Sequence, residues 1–140
     1  MNRWTLRLPT LAPHTPNSRS GHWRDRHSHA REWRSTVGWV AKAARVPRVD
    51  QAAIALVGAP PDRRRRDTDS IALACKHAID GLRDAGVLAD DDASHVPTVV
   101  LQLIAPTGSK RWEWWLVIDA TAEGRAPIDI SWEVSTAWPG

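Results

Sequence analysis

PPDRRRRDTDSIALACKHAIDGLRDAGVLADDD, residues 60–92, is the stretch on which the reading of this chain turns. Pro60 and Pro61 close off the segment before them. Four consecutive arginines, Arg63, Arg64, Arg65 and Arg66, then run directly into Asp67 and Asp69. From there Ile71, Cys75, Ala78, Leu82 and Ala85 recur at three- and four-residue steps, which predicts a helix with one apolar face. Asp69 or Ser70 can cap its start, and Gly86 is a natural residue just past its end. A second acidic cluster, Asp90, Asp91 and Asp92, follows that helix.

The flanks supply the remaining elements. Trp4 to Leu8 alternates with period two and stops at Pro9, as a strand does. Residues 10–27 carry two prolines, Asn17, Gly21 and several cations, and read as a long basic loop. Ala30, Trp33, Val37, Val40 and Ala44 predict an amphipathic helix over 28–45, with Ser28 at its cap and Pro47 beyond its end. Ala52 to Val57 is a short apolar strand closed by Gly58. Val99 to Ile104 reads as a well-buried strand, Pro106 to Ser109 as a turn, and Trp112 to Ile118 as its antiparallel partner. Ile128 to Val134 can add an edge strand. The order β-α-β-α-β-β describes a small single α+β domain, with a mixed or antiparallel sheet of about four strands and two main helices.

At 140 residues the chain is expected to form one domain. Its net charge of +3 conceals an asymmetry: residues 1–66 hold 14 Lys/Arg against 4 Asp/Glu, and residues 67–140 hold 5 against 12. A basic half is the electrostatic footprint of a nucleic-acid binder; an Arg-rich solvated surface is the alternative. The single cysteine, Cys75, excludes an internal disulfide, and no Cys or His spacing completes a zinc site. No signal-peptide pattern and no membrane-length apolar run is present, so a soluble intracellular protein is expected. Nine Trp with neither Phe nor Tyr fits a GC-rich coding sequence and is given no functional reading.

Cations beside carboxylates suggest a site that grips a polyanion with one set of groups and a divalent metal with the other. Asp67 and Asp69, two apart in an extended segment, point to one side and can converge on Mg²⁺, a hard cation often held by one or two carboxylates plus substrate phosphate. They can equally complement the helix N-terminus. Asp90 to Asp92 can be a solvated turn. With about sixteen residues of helix between them the two clusters would lie roughly 24 Å apart, unless the chain after Gly86 doubles back or a second subunit contributes. Lys76 can be a snorkelling surface lysine or can stabilise charge developing on a phosphate. The arginine run can grip phosphates by bidentate hydrogen bonds. His22, His27 and His29 suit phosphate contact or solvent. Trp112, Trp114 and Trp115 are expected to alternate between core and a partner surface, with base stacking as the lesser option.

Over roughly residues 1–118 the chain resembles the RusA-type Holliday-junction resolvases of phages and prophages. The resemblance is strongest from Pro61 through Val96, in the sequence of Arg-rich run, Asp-x-Asp, helix with an inner Lys, Asp-Gly-Leu, Ala-Gly-Val and Asp-Asp. It implies a homodimeric, Mg²⁺-dependent endonuclease, with Mn²⁺ able to substitute, that binds four-way DNA junctions and makes paired symmetric cuts in recombination and repair. The family's metal-binding acids fall on Asp67, Asp69 and Asp91, with Asp90 an adjacent ligand candidate, and its catalytic lysine falls on Lys76. Arg63 to Arg66, together with Arg19, Arg24, Arg26, Arg31 and Arg34, would track the junction backbone. Ser70 stands where the family usually has Asn, and residues 119–140 form an extension of unassigned role. A cytoplasmic setting in a bacterial host is implied, without membrane or small-molecule cofactor. Two rivals remain: a non-catalytic branched-DNA-binding protein of the same fold, and a Ca²⁺-binding protein built on Asp90 to Asp92.

Overall fold

AIALVGA at 53–59 contains no polar side chain, and a strand without a polar face must be covered on both sides. That segment is buried along its whole length and forms one of the two inner strands of the sheet. The computed structural model describes residues 2–9 and 23–120, with side chains described for 2–9 and 28–120. In chain order the elements are β1 (Arg3–Leu8), α1 (Trp23–Ala43), β2 (Ala53–Ala59), a 3-10 turn (Thr68–Ile71), α2 (Ala72–Asp84), β3 (Val99–Leu103) and β4 (Glu113–Asp119). The four strands form one mixed sheet in the order β1-β4-β2-β3, so the α+β architecture is as expected. Among the described residues no helix is long and apolar enough to cross a membrane.

Two expectations about the sheet are corrected. β4 does not return beside β3. It lies antiparallel between β1 and β2, with Leu116 opposite both Leu6 and Leu56, while β3 pairs in parallel with β2. A parallel pair needs a crossover element, and α2 supplies it. β4 is two residues longer than β3 and carries Trp114 and Trp115, where β3 has no aromatic side chain. β3 is consequently an edge, with Leu103 its only buried residue and Val99 48 % exposed. The backbone ladder runs on past β4, where Ala120 N–H donates to the Asn2 carbonyl.

The first helix also differs from expectation. α1 begins at Trp23, so Ser28 lies inside it instead of capping it. Polar, Arg- and His-rich residues at 23–27 carry no apolar periodicity, yet none is a helix breaker, and the helix extends through them. The inward positions are Trp33, Val37 and Ala41; Ala44 is exposed past the helix end. The expected strand at 128–134 and the loop portion at 10–22 lie outside the described residues.

The main core lies between the helices and the β2 face bearing Ile54 and Leu56; the other face, with Ala55 and Val57, packs with Ile104 and Val117. Trp33 ties the layers together: its indole N–H donates to the Ala74 carbonyl at 2.9 Å, and its ring meets Trp114 edge-on at 5.7 Å. Where α1 crosses α2, the close approach requires Gly81. A Cβ there would collide with the Arg34 carbonyl oxygen and come within 3.2 Å of the Val37 Cβ.

Candidate nucleic-acid and metal site

α2 carries the candidate site because its two ends and its outer face hold nearly all the singled-out residues. Its start differs from expectation: neither Asp69 nor Ser70 caps it, because a 3-10 turn over Thr68–Ile71 comes first and Ile71 stands at the cap without a side-chain bond. It ends as its sequence predicts. Gly86 adopts φ +81°, a left-handed conformation that glycine enters without Cβ strain, and Val87 N–H returns to the Leu82 carbonyl. The chain then doubles back along the helix. Val87 and Leu88 are buried, and Asp91 arrives beside Lys76, with Nζ to Oδ2 at 3.4 Å. The separation inferred from helix length is thus shortened by the return of the 87–92 segment.

The three acids of that segment have different tasks. Asp90 Oδ1 accepts the Asp91 backbone N–H at 2.8 Å. Arg83 Nη1 lies 3.6 Å from Asp90 and 3.7 Å from Asp91. Hydrogen bonding with the Asp90 carboxyl, and then the Lys76 ammonium, holds the Asp91 carboxyl below its usual range. Asp92 is turned into the loop itself. Its Oδ1 accepts from Ser94 Oγ at 2.7 Å, from His95 Nδ1 at 2.6 Å and from the Ser94 and His95 backbone N–H groups at 3.2 Å. Those bonds pull its pKa down to about 2, with Ser94 the largest contributor and His95 next. Asp92 therefore builds the turn, which accounts for an acid to which the family resemblance gives no role.

Asp67 and Asp69 present the opposite picture. Both are exposed, and Asp67 precedes the 3-10 turn in extended conformation with φ −86° and ψ 140°. Its side chain makes no cap bond; the turn is closed by backbone, Ser70 N–H to Asp67 C=O. Among the described residues neither carboxylate has a hydrogen bond or an ion pair. They are hard oxygen donors left open, a donor set that suits Mg²⁺ completed by phosphate and water. Asp91 does not join them within one chain: among the described residues no three His, Cys, Asp or Glu side chains gather closely enough to hold a metal ion.

Of the arginine run, Arg66 is fixed. It donates to the Asp62 carbonyl at 2.9 Å, pairs with the Asp62 carboxylate at 2.9 Å and lies 5.4 Å above Trp112. Trp112 in turn stacks on buried Trp114 at 4.7 Å. Gly58 makes room for that stack, since a Cβ there would stand 2.8 Å from Trp114. Arg63, Arg64 and Arg65 project into solvent, Arg64 with a surface pair to Asp62 at 3.2 Å. Trp115 faces the other side of the sheet beneath Arg7, so all three tryptophans of β4 and its approach are occupied. Arg31 is exposed. Arg34 is committed to α2, bonding Asp84 at 2.5 and 2.8 Å. Arg19 and the side chains of Arg24, Arg26, His22 and His27 lie outside the described residues; His29 is half-buried.

One residue of consequence enters the sequence pattern only as the first of Asp-Gly-Leu, without a role. Asp80, 8 % exposed, sits on α2 within 3.9 Å of both Lys76 and Arg34 and 4.0 Å of His77. With Asp91 and Asp84 it completes a line of alternating charge, Asp91–Lys76–Asp80–Arg34–Asp84, running from the returning loop across α2 to α1. Its signal was local: a carboxylate one helical turn after Lys76. Between α2 and β3, beside Lys76 and Asp91, opens an apolar groove of about 230 Å³ lined by Cys75, Ile79, Val96 and Leu101. The chain matches no protein-family model and no curated protein sequence.

Proposed function

We propose that this chain is a Mg²⁺-dependent, structure-selective endonuclease of the RusA type, acting on four-way DNA junctions. The observation that carries the reading is the order on α2. Two uncommitted carboxylates stand at its start, and a lysine–carboxylate pair stands on its flank, reached only because the chain folds back. Bound Mg²⁺ would supply Lewis-acid stabilisation of the scissile phosphate. Asp67 and Asp69 would hold it, and Asp91 would join them as substrate and a second subunit bring the groups together. Lys76, oriented by Asp80 and Asp91, offers an ammonium to the charge that develops on phosphate oxygen. Arg63, Arg64, Arg65 and Arg31 engage the DNA backbone.

Paired symmetric cuts require two sites related by a dyad, hence a C2 dimer. Exposed Leu73 and Val99, together with the groove beside Lys76, give such a partner an apolar surface. A second reading, a branched-DNA-binding protein that does not cut, is favoured by Asp91 already lying beside two cations. Cleavage of a labelled four-way junction in Mg²⁺, then in EDTA, with linear duplex as control, separates the two. Paired nicks confined to the junction and lost in EDTA support the endonuclease; tight binding without nicks in Mg²⁺ or Mn²⁺ supports the alternative.

A further inference from the structure

The outer surface of α1 carries a feature that the nuclease reading leaves unused. Trp39 is 69 % exposed, more than any other large apolar side chain among the described residues. It borders an open depression of about 440 Å³ between α1 and α2, lined also by Arg31, Ser35, Lys42 and Asp84. Lys42 Nζ stands 5.4 Å from the indole centroid. Among the described residues the acid in the depression is Asp84, which Arg34 neutralises, and neither Arg31 nor Lys42 has an acidic partner. Residues 23–48 hold seven Lys/Arg against two Asp/Glu, so the whole segment favours an anionic partner.

We infer that Trp39, flanked by Arg31 and Lys42, is a stacking platform for an unpaired nucleobase, with the two cations holding the adjoining phosphates. This rests on the proposed DNA-binding function and deepens it. The chemistry selects the ligand. An exposed indole presents a π-face that any base can cover; Lys42, which lies over the ring in the free chain, and Arg31 can turn to the phosphates that connect successive bases. Fully paired duplex hides its base faces in the stack, whereas a branch point or single strand leaves them available. The platform therefore discriminates for open structure and not for sequence, independently of the carboxylates.

The test is equilibrium binding of the full chain, in EDTA and at fixed ionic strength, to a labelled four-way junction and to a linear duplex of equal length. A 2-aminopurine is placed at the junction centre, and oligomeric state is measured on the same samples. Trp39→Ala is expected to weaken junction binding about tenfold and duplex binding less than about twofold, with Trp39→Phe close to the parent. The 2-aminopurine emission should be quenched by the parent chain and by Trp39→Phe but not by Trp39→Ala. Lys42→Ala is expected to weaken both ligands alike, as a phosphate contact does. Unchanged junction affinity in Trp39→Ala, equal loss on junction and duplex, or loss accompanied by dissociation of an oligomer overturns the platform while leaving the DNA-binding reading in place. Failure of the parent chain to bind either DNA overturns both.

Discussion

The two acidic clusters that bracket α2 look alike in sequence and behave in opposite ways in the fold. At the C-terminal side, Asp90, Asp91 and Asp92 are bound by Arg83, Lys76, Ser94 and His95, and the loop takes its shape from those bonds. At the N-terminal side, Asp67 and Asp69 touch no protein partner among the described residues, and the backbone alone makes the turn they sit on. A fold that ties Asp92 into its loop, sets Asp90 and Asp91 beside cations and leaves Asp67 and Asp69 open grades its acids from structural to available. Composition alone does not make that distinction.

The sharpest way to break the contrast is to neutralise one member of the open pair. Asp69→Asn is expected to abolish junction cleavage, leave junction binding largely intact and hold stability within about 0.5 kcal/mol, as for an exposed residue without partners. Full cleavage by this variant, measured on the labelled junction, removes Asp69 from the metal site. Gly81→Ala attacks the scaffold both clusters share. The added methyl meets backbone, which cannot move aside, so overpacking of about 1–3 kcal/mol outweighs the roughly 1 kcal/mol gained in helix propensity. Urea unfolding should show a lowered midpoint.

Asp92 distinguishes the bonded cluster by pH. Its folded-state pKa lies near 2 against an ordinary 3.8, so it stabilises the fold above 3.8, and that contribution is lost as pH falls from 3.8 toward 2. Acid unfolding followed by circular dichroism should be shallower over that window in Asp92→Asn than in the parent. The smallest effect is expected at Cys75, in the first turn of α2, whose thiol is pushed up to about 12 by burial. Iodoacetamide at pH 8 should leave it unmodified in the parent and in Asp69→Asn; faster labelling in Gly81→Ala would report that the helix crossing has opened.

Short-range spacing made the apolar face of α2, its arginine approach and Gly86 at its end legible, but not its start, where a 3-10 turn stands in place of a cap by Asp69 or Ser70. The strand order did not follow, because the choice between β3 and β4 as neighbour of β2 depends on which packs better across the sheet. Residues 99–104 and 112–118 are both apolar runs, and nothing within either run marks the edge. The start of α1 was hidden by residues with neither apolar period nor breaker. In the candidate site, the Lys76–Asp91 pair depends on a chain reversal that Gly86 allows but does not announce. Arg34 reads as a free cation until Asp84 is brought under it. Asp92 was the more readable case, since Ser94 and His95 two and three residues on are the partners that an aspartate turn uses.

The anchoring of Arg66 over Trp112 also changes how tightly the arginine run should couple binding to salt. Arg66, half-buried between Asp62 and an indole, would displace no ions from bound DNA, whereas Arg63, Arg65 and Arg64, whose own pair with Asp62 lies on the open surface, are left to do so. At about 0.9 in logarithmic slope per phosphate neutralised, the run would add about 2.7 to the salt dependence of the proposed DNA binding, where a count of the sequence gives about 3.6. Release of counterions would thus record one arginine fewer than the sequence displays.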